Sequence, residues 1–312
     1  MFRSWYTLPA ILVSTFSGWA AEKPNLKLRV PSPPVSAGES TPHLTVNVPF
    51  VLVPVHVTTM LGRPVTQLEL KDFRLFDENI EHSIKTLTKE DSPISVGVLF
   101  DSSGSMRLKM KQAVAATNAF LKTASPADEH FLIEFGDRAK ISVPFSGDFT
   151  DLSTRIARVR PFGRTSLYDA IQLAITQLKF AKHKRRAIVI FSDGADNHSR
   201  RSLQEIRHLL MEADVQVYAI GIFDGNDISG PPVLDELAEI TGGTHLRAGL
   251  SDLAVISERI GNELRSEYVI GYSPTTEVRN GKYHRVKVIV APKQAMPDLH
   301  ISHRQGYYGT SN

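Results

Sequence analysis

The chain has 312 residues, 42% of them hydrophobic and 22% charged, with a formal net charge of +3 and a pI of about 9.0. This length exceeds one average domain, and the composition excludes both wholesale disorder and a membrane-embedded helix bundle. The charge balance is too mild to predict a nucleic-acid partner, because phosphate binding needs basic residues concentrated on one face. Cysteine is absent, which excludes disulfides, thiolate metal sites and a lipid-modified cysteine.

Residues 1–21 have the pattern of a secretory signal peptide. Arg3 precedes an apolar stretch from Leu8 to Phe16, and small residues follow up to Ala21. We expect export to the periplasm, the cell surface or the medium, with an uncleaved anchor as the alternative. No later stretch of the sequence predicts a transmembrane segment. Residues 22–43 are rich in proline, serine, glycine and charge, which predicts a linker.

Residues 44–91 predict a small β module, because short apolar runs alternate with polar residues and with the turn at Gly62-Arg63-Pro64. A β pattern returns over residues 268–312, with a turn near Asn280-Gly281. Each of these segments is too small to bury a core alone. We therefore expect the C-terminal β segment to pack with the N-terminal module.

Residues 92–267 alternate buried-type strands with amphipathic helices. The predicted strands are Val96–Phe100, His130–Phe135, Lys140–Val143, Ala187–Phe191 and Val215–Ile222, with Gly243–Leu246 as a sixth. The predicted helices are Met106–Leu121, Leu152–Val159, Leu167–Phe180, Leu203–Met211, Val233–Ile240 and Leu253–Leu264. This alternation predicts an α/β fold with a doubly wound, mostly parallel, Rossmann-like sheet. Ligands of such sheets bind beyond the carboxyl ends of the strands.

The first predicted strand runs directly into Asp101-Ser102-Ser103-Gly104-Ser105. Side chains at alternate positions of an extended segment point the same way, so Asp101, Ser103 and Ser105 can converge on one point. Hard divalent cations prefer oxygen ligands, and Mg²⁺ takes six of them in an octahedral array. The alternative is that these residues only form a turn and cap the next helix.

Two further segments place oxygen side chains at the same edge of the sheet. Thr165 precedes the third predicted helix, and Asp193 follows the strand that ends at Phe191. Five residues therefore predict one divalent-cation site, namely Asp101, Ser103, Ser105, Thr165 and Asp193.

With Asp-x-Ser-x-Ser at 101–105, a distant Thr165 and a distant Asp193, the region resembles a von Willebrand factor type A domain with a metal-ion-dependent adhesion site. The resemblance implies that Ser103, Ser105 and Thr165 bind Mg²⁺, or Ca²⁺ or Mn²⁺, directly. It implies that Asp101 and Asp193 act directly or through water. It further implies that an Asp or Glu of a partner protein completes the coordination shell. Apart from the resemblance, Arg164 lies next to Thr165, where it can attract that anion or serve only as a solubilising residue at a loop tip.

The flanking segments extend the resemblance. Val48-Pro49-Phe50, the Gly62-Arg63-Pro64-Val65 turn, the stretch from Tyr268 to Pro274 and the closing Gly-Tyr-Tyr are similar to an exported bacterial family of von Willebrand factor type A-related proteins, abundant in acidobacteria. This wider resemblance implies an architecture and a compartment, and it names no ligand.

A set of metal ligands without an accompanying nucleophile and base predicts a non-enzymatic protein-binding module. A metal-dependent hydrolase or phosphatase is the first alternative. Phosphatases with a strand-end aspartate usually carry a second carboxylate two positions on, where Ser103 stands here, and the sequence has no Gly-x-Ser-x-Gly elbow. The second alternative is a structural envelope protein with a vestigial metal site, whose β module binds through an edge strand.

Two other groups of polar residues are interpreted as structural. The basic run Lys182–Arg186 is interpreted as a solvated helix end. Asp137, Asp196 and Asn197 lie near the predicted upper edge of the sheet and are interpreted as loop-capping residues, with support of the metal ligands as the alternative.

Overall fold

The computed structural model describes residues 50–60, 62–213, 215–223, 232–274, 281–291 and 298–309, so the predicted signal peptide and linker lie outside the described residues. The strands are β1 Val51–Thr59, β2 Phe73–Asp77, β3 Ile80–His82, β4 Ile84–Glu90, β5 Ile94–Asp101, β6 Glu129–Phe135, β7 Ala139–Ser146, β8 Arg185–Ser192, β9 Gln216–Ile222, β10 His245–Ala248, β11 Glu267–Tyr272, β12 Tyr283–Val290, β13 Leu299–His303 and β14 Gly306–Tyr308. The helices are α1 Met110–Leu121, α2 Phe149–Ile156, α3 Leu167–Leu178, α4 Leu203–Glu212, α5 Val233–Thr241 and α6 Leu253–Glu263.

Six strands form a central sheet in the order β10-β9-β8-β5-β6-β7. All neighbours pair parallel except β6 and β7, which pair antiparallel. β5 is buried along its whole length, as expected for a continuous apolar strand inside a parallel sheet. The predicted doubly wound, mostly parallel α/β fold is confirmed.

Helices cover both faces of this sheet. On one face, α1, α2 and α6 contribute Phe120, Ile156 and Ile260 to one core. On the other face, α3, α4 and α5 contribute Ile206 and Leu237, among others, to a second core. The chain leaves β5 toward the first face and β8 toward the second, so the strand order reverses between these two neighbours. Doubly wound sheets bind their ligands at this switch point.

Strands from both ends of the described chain form two more four-stranded sheets, in the orders β13-β1-β11-β4 and β14-β12-β2-β3. β1 pairs antiparallel with β11 and β13, and β12 pairs antiparallel with β2. Side chains of both sheets share one core that includes Val55, Leu75 and Ile270. Each sheet therefore requires strands from before and after the α/β region.

Most predicted elements end within a few residues of the observed ones, and two of the shifted boundaries have a clear backbone cause. The helix predicted from Met106 begins at Met110, because Gly104–Met106 forms a turn of 3-10 helix first. The strand predicted from Gly243 begins at His245. Gly242 has a φ of 80° and ends α5 in the left-handed conformation, and the Gly243 amide donates to the Ala238 carbonyl at 3.0 Å. The two glycines thus close the helix, which a strand pattern does not show.

The interpretation of the basic run at residues 182–186 was wrong for Arg185. This residue begins β8, and its side chain is 11% exposed. Its Nε lies 3.0 Å from Oε2 of Glu267, and its Nη atoms donate to the carbonyls of Ser92 at 2.9 Å and Leu264 at 2.7 Å. These acceptors come from distant segments, so local sequence could not reveal them. Lys182 and Lys184 are exposed, as expected.

Glu267 joins the flanking sheets to the central sheet. Its Oε1 accepts a 2.6 Å hydrogen bond from Gln216 of β9, and the same oxygen lies 3.4 Å from Nε2 of His56 on β1. Tyr218 of β9 contacts that histidine nitrogen at 2.8 Å. Arg185 and Gln216 are the first residues of β8 and β9, so this network lies at the amino edge of the parallel strands, opposite their carboxyl ends.

Among the helices in the described ranges, none combines the length and the apolarity needed to cross a membrane.

We predict that Arg185→Met destabilises the protein by about 3 kcal/mol, because it leaves the buried Glu267 carboxylate without its guanidinium partner. Urea unfolding followed by circular dichroism measures the loss. The neighbouring Lys184→Met removes an exposed cation and is the matched control, with an expected change within about 0.5 kcal/mol. Equal losses in both variants would contradict a specific role for the network.

Candidate metal centre

Three loops meet at the carboxyl edge of the central sheet. We call residues 101–109 the first loop, residues 157–166 the second loop and residues 192–202 the third loop. The Gly104 amide donates to the Gly163 carbonyl at 3.0 Å, and the Phe162 amide donates to the Ser102 carbonyl at 2.9 Å. A Cβ at Gly104 would lie 3.2 Å from the Gly163 carbonyl oxygen. A side chain at Gly104 would therefore crowd the point where the first two loops come together.

Hydrogen bonds also join the second loop to the third. The Thr165 amide donates to Oδ1 of Asn197 at 3.0 Å. In return, the Thr165 carbonyl accepts from the amides of Asn197 at 3.1 Å and His198 at 3.0 Å. These three bonds fix the buried Thr165 beside the loop that carries Asp193.

The acidic and amide side chains near this edge cap the loops, as interpreted from the sequence. Asp137 accepts a 2.7 Å hydrogen bond from the Arg164 amide. Asp196 accepts from the Tyr168 amide at 3.0 Å and thereby caps the start of α3. Their carboxylates are thus engaged in holding loop backbone.

Asp101 is the last residue of β5, and its side chain is fully buried. Its Oδ1 accepts from the Ser103 amide at 2.8 Å, and its Oδ2 accepts from the Ser192 hydroxyl at 2.6 Å. Ser192 ends β8, so one carboxylate bridges the two strands at the switch point. The hydroxyl oxygens of Ser103 and Ser105 lie 3.0 Å apart beside it.

Asp193 follows β8 directly and makes an ion pair with Lys109 of the first loop. The distance from Nζ of Lys109 to Oδ2 of Asp193 is 2.9 Å, and the two side chains are 9% and 13% exposed. The other carboxylate oxygen, Oδ1, lies 3.5 Å from the Ala195 amide. One oxygen of Asp193 thus contacts an internal cation.

The residues at this edge fit a small divalent cation. Octahedral Mg²⁺ has oxygen ligands at about 2.0–2.1 Å, so adjacent ligands lie about 2.9 Å apart, close to the separation of the two serine hydroxyls. Two carboxylates supply the charge. Among the described residues, no three or more His, Cys, Asp or Glu side chains are grouped for a metal ion. A cation here would therefore need serine and threonine hydroxyls as ligands in addition to the two carboxylates.

Residues 96–195 match the family model of the von Willebrand factor type A domain. This segment contains all five predicted ligands. This segment, about a third of the chain, is similar to a von Willebrand factor type A domain. Domains of this family are typically protein-interaction or adhesion modules. No curated protein sequence matches the chain.

Solved structures with a similar fold share little sequence with this chain. Von Willebrand factor type A from Catenulispora acidiphila is 13% identical, and the match covers 84% of this chain and 73% of that one with a TM-score of 0.50. BatB from Bacteroides thetaiotaomicron is 18% identical over 55% of this chain and 100% of that one, with a TM-score of 0.46. The domain of the pilus tip protein Mfa5 from Porphyromonas gingivalis is 13% identical over 55% of this chain and 95% of that one, with a TM-score of 0.47.

Burial raises the pKa of Asp101 to about 6 in the metal-free domain. The hydrogen bonds from Ser103 and Ser192 lower this pKa, and the negative charge of Asp193 raises it further, so desolvation dominates. The charged carboxylate is therefore costly without a cation nearby.

Sequence reasoning missed two residues of this centre, Ser192 and Lys109. The sequence around Ser192 carries no sign that this strand-end hydroxyl faces Asp101, because the contact joins residues of two different strands. Lys109 carries a local signal, since it lies four residues before Ala113 and seven before Ala116, on the buried face of α1. A lysine at a buried helical position needs an anionic partner.

We predict that Asp101→Asn gains stability relative to wild type as the pH rises, when both are kept in chelator. A group whose folded pKa is raised stabilises the fold below its unfolded pKa, near 4, and this contribution is lost as the pH rises through about 6. Asparagine does not ionise, so the stability of the Asp101→Asn protein has no such dependence on pH at this position. Urea unfolding at pH 5 and pH 7.5 should show the difference between the proteins shifting by about 1.4 kcal/mol in favour of asparagine. A difference that does not change with pH would contradict the raised pKa.

Proposed function

We propose that this protein is an exported, non-enzymatic binding module that holds a divalent cation at the carboxyl edge of its von Willebrand factor type A domain and captures an acidic side chain of a partner protein. Five residues would hold the cation, namely Asp101, Ser103, Ser105, Thr165 and Asp193. The observation that carries the proposal is the pair of serine hydroxyls 3.0 Å apart, beside two carboxylates at the switch point. Export rests on the signal pattern of residues 1–21.

The spacing of the hydroxyls is compatible with Mg²⁺, Mn²⁺ or Ca²⁺. Adjacent ligands of octahedral Mg²⁺ lie about 2.9 Å apart, and the pentagonal-bipyramidal shell of Ca²⁺ also brings neighbouring oxygens to about 3 Å. The 3.0 Å between the Ser103 and Ser105 hydroxyls, which is also a hydrogen-bond length, is in this range. When bound, the cation supplies a position that a carboxylate oxygen of a partner can occupy.

The rim of the centre supports an acidic partner with apolar side chains near its carboxylate. Leu108 of the first loop is 79% exposed and Phe162 of the second loop is 73% exposed. Arg107 and Arg164 are exposed in the same two loops, and Arg138 is exposed in the adjoining β6–β7 turn. These two side chains offer apolar contacts beside the centre, and the arginines favour approach of a negatively charged protein.

The surroundings of the serines support binding rather than hydrolysis. Within the described residues, the two serine hydroxyls hydrogen-bond to each other, and no hydrogen bond joins either of them to a histidine. His198, in the third loop, contacts the Arg164 guanidinium at 3.5 Å instead. A serine nucleophile needs a base within hydrogen-bond reach.

We predict that saturating Mn²⁺ stabilises the wild-type protein by about 2–3 kcal/mol, the value expected near 100 times the dissociation constant. Asp101→Ala should lose this stabilisation, measured by urea unfolding with and without Mn²⁺. Asp91→Ala is the matched control, because Asp91 is exposed and precedes β5 at the opposite edge of the sheet. If millimolar metal stabilises neither wild type nor the control, the centre is vestigial and a structural role replaces the proposal.

We predict that Arg107→Glu combined with Arg164→Glu slows association with the acidic partner about tenfold and reduces its dependence on salt, because rim charges act mainly on the association rate. Surface plasmon resonance at two ionic strengths, against a partner recovered from envelope extract in Mn²⁺ but not in chelator, measures both effects. Arg63→Glu, in an exposed turn of the flanking sheets, is the control and should bind as wild type does. Equal rates in all three proteins would show that the rim does not contact the partner.

A further inference from the structure

A buried lysine lies inside the proposed metal centre, although a site that attracts a dication would be expected to exclude other cations. Lys109 is 7% exposed, and its ammonium lies 2.9 Å from Oδ2 of Asp193. Its backbone is fixed as well, because the Lys109 amide donates to the Met106 carbonyl at 3.0 Å and its carbonyl accepts from Ala113 at 2.9 Å. The lysine is therefore a built-in part of the first loop, which also carries Ser103 and Ser105.

The ion pair changes the charge of the centre. Asp101 and Asp193 together carry two negative charges, and Lys109 returns one positive charge, so the metal-free centre has a net charge of about −1. With a dication the net charge is about +1, whereas the two aspartates alone would leave the loaded centre neutral. Charges that are this deeply buried are screened little by salt.

The positive charge of Lys109 opposes binding of the metal cation and favours binding of the acidic ligand. The lysine ammonium repels a dication that shares Asp193 with it, so it lowers the affinity for the metal alone. The same ammonium attracts a carboxylate that arrives at the loaded centre, so it raises the affinity for the acidic ligand. Linkage requires that a ligand which binds better with the metal present also holds the metal more tightly.

We propose that Lys109 is an internal counter-cation that makes retention of the metal depend on a bound acidic ligand. This inference rests on the proposed function, because it assigns a property to the same centre. The lysine also orients Asp193, since it holds Oδ2 and leaves Oδ1 for the cation or its water. Loss of the ligand would then favour loss of the metal.

The test measures binding of Mn²⁺ alone by electron paramagnetic resonance, which reports the unbound ion directly. Wild type, Lys109→Met and Lys109→Arg are titrated in chloride and then in acetate of equal ionic strength, acetate serving as the minimal carboxylate. In chloride, Lys109→Met should bind Mn²⁺ at least tenfold more tightly than wild type. Acetate should raise the Mn²⁺ affinity less in Lys109→Met than in wild type. Lys109→Arg should keep the wild-type pattern, because it keeps the positive charge.

The outcomes separate this inference from the proposed function. Equal Mn²⁺ affinity of wild type and Lys109→Met in chloride would overturn the role of the lysine and leave the metal centre standing. Absence of Mn²⁺ binding in wild type, Lys109→Met and Lys109→Arg alike would overturn the proposed function itself. Lys109→Gln, close in shape and uncharged, is the second neutral variant. If both neutral variants fail to fold even in millimolar Mn²⁺, the lysine is a structural counter-ion and the inference is overturned.

Discussion

The buried carboxylate of Asp101 is the group on which the centre depends. It ends the inner strand β5, is fully buried, and is therefore tolerated only where donors and positive charge surround it. Its two donors, the Ser103 amide and the Ser192 hydroxyl, come from separate strand ends, so satisfying one side chain holds the first and third loops together. Burial makes the charged Asp101 carboxylate unfavourable and raises its pKa to about 6. A bound cation would offset this penalty.

The two edges of the central sheet carry different kinds of interaction. At the amino edge, Arg185 and Gln216 join the central sheet to Glu267 of β11 through buried, charge-assisted hydrogen bonds, and Tyr218 joins it to His56 of β1. At the carboxyl edge, glycines allow loop backbones to approach closely, and capping carboxylates hold the loops. A scaffold fixed at one edge and tight loops at the other give preorganised ligand positions, which is what weak hydroxyl donors need to bind a metal.

Lys109 changes the net charge of the centre. Two aspartates counted from the sequence balance a dication and leave the loaded centre neutral. With the buried ammonium beside Asp193, the same centre carries a net positive charge when loaded. Under the proposed function, this charge and the exposed arginines of the first two loops would give an acidic partner both long-range attraction and a short-range preference for the metal-loaded state.

The sequence by itself determined the α/β fold, the strand ends that carry Asp101 and Asp193, and the set of oxygen side chains, because hydrophobic periodicity and strand-end polar residues are local signals. It also favoured a capping role for Asp137, Asp196 and Asn197. The amides that they cap lie 27 to 32 residues away, so the fold decided which backbone each of them holds. Only the tertiary structure decided the partners of Arg185, Ser192 and Lys109, because each depends on a segment more than 75 residues away. Long-range electrostatic pairs are set by packing, and no local pattern specifies them.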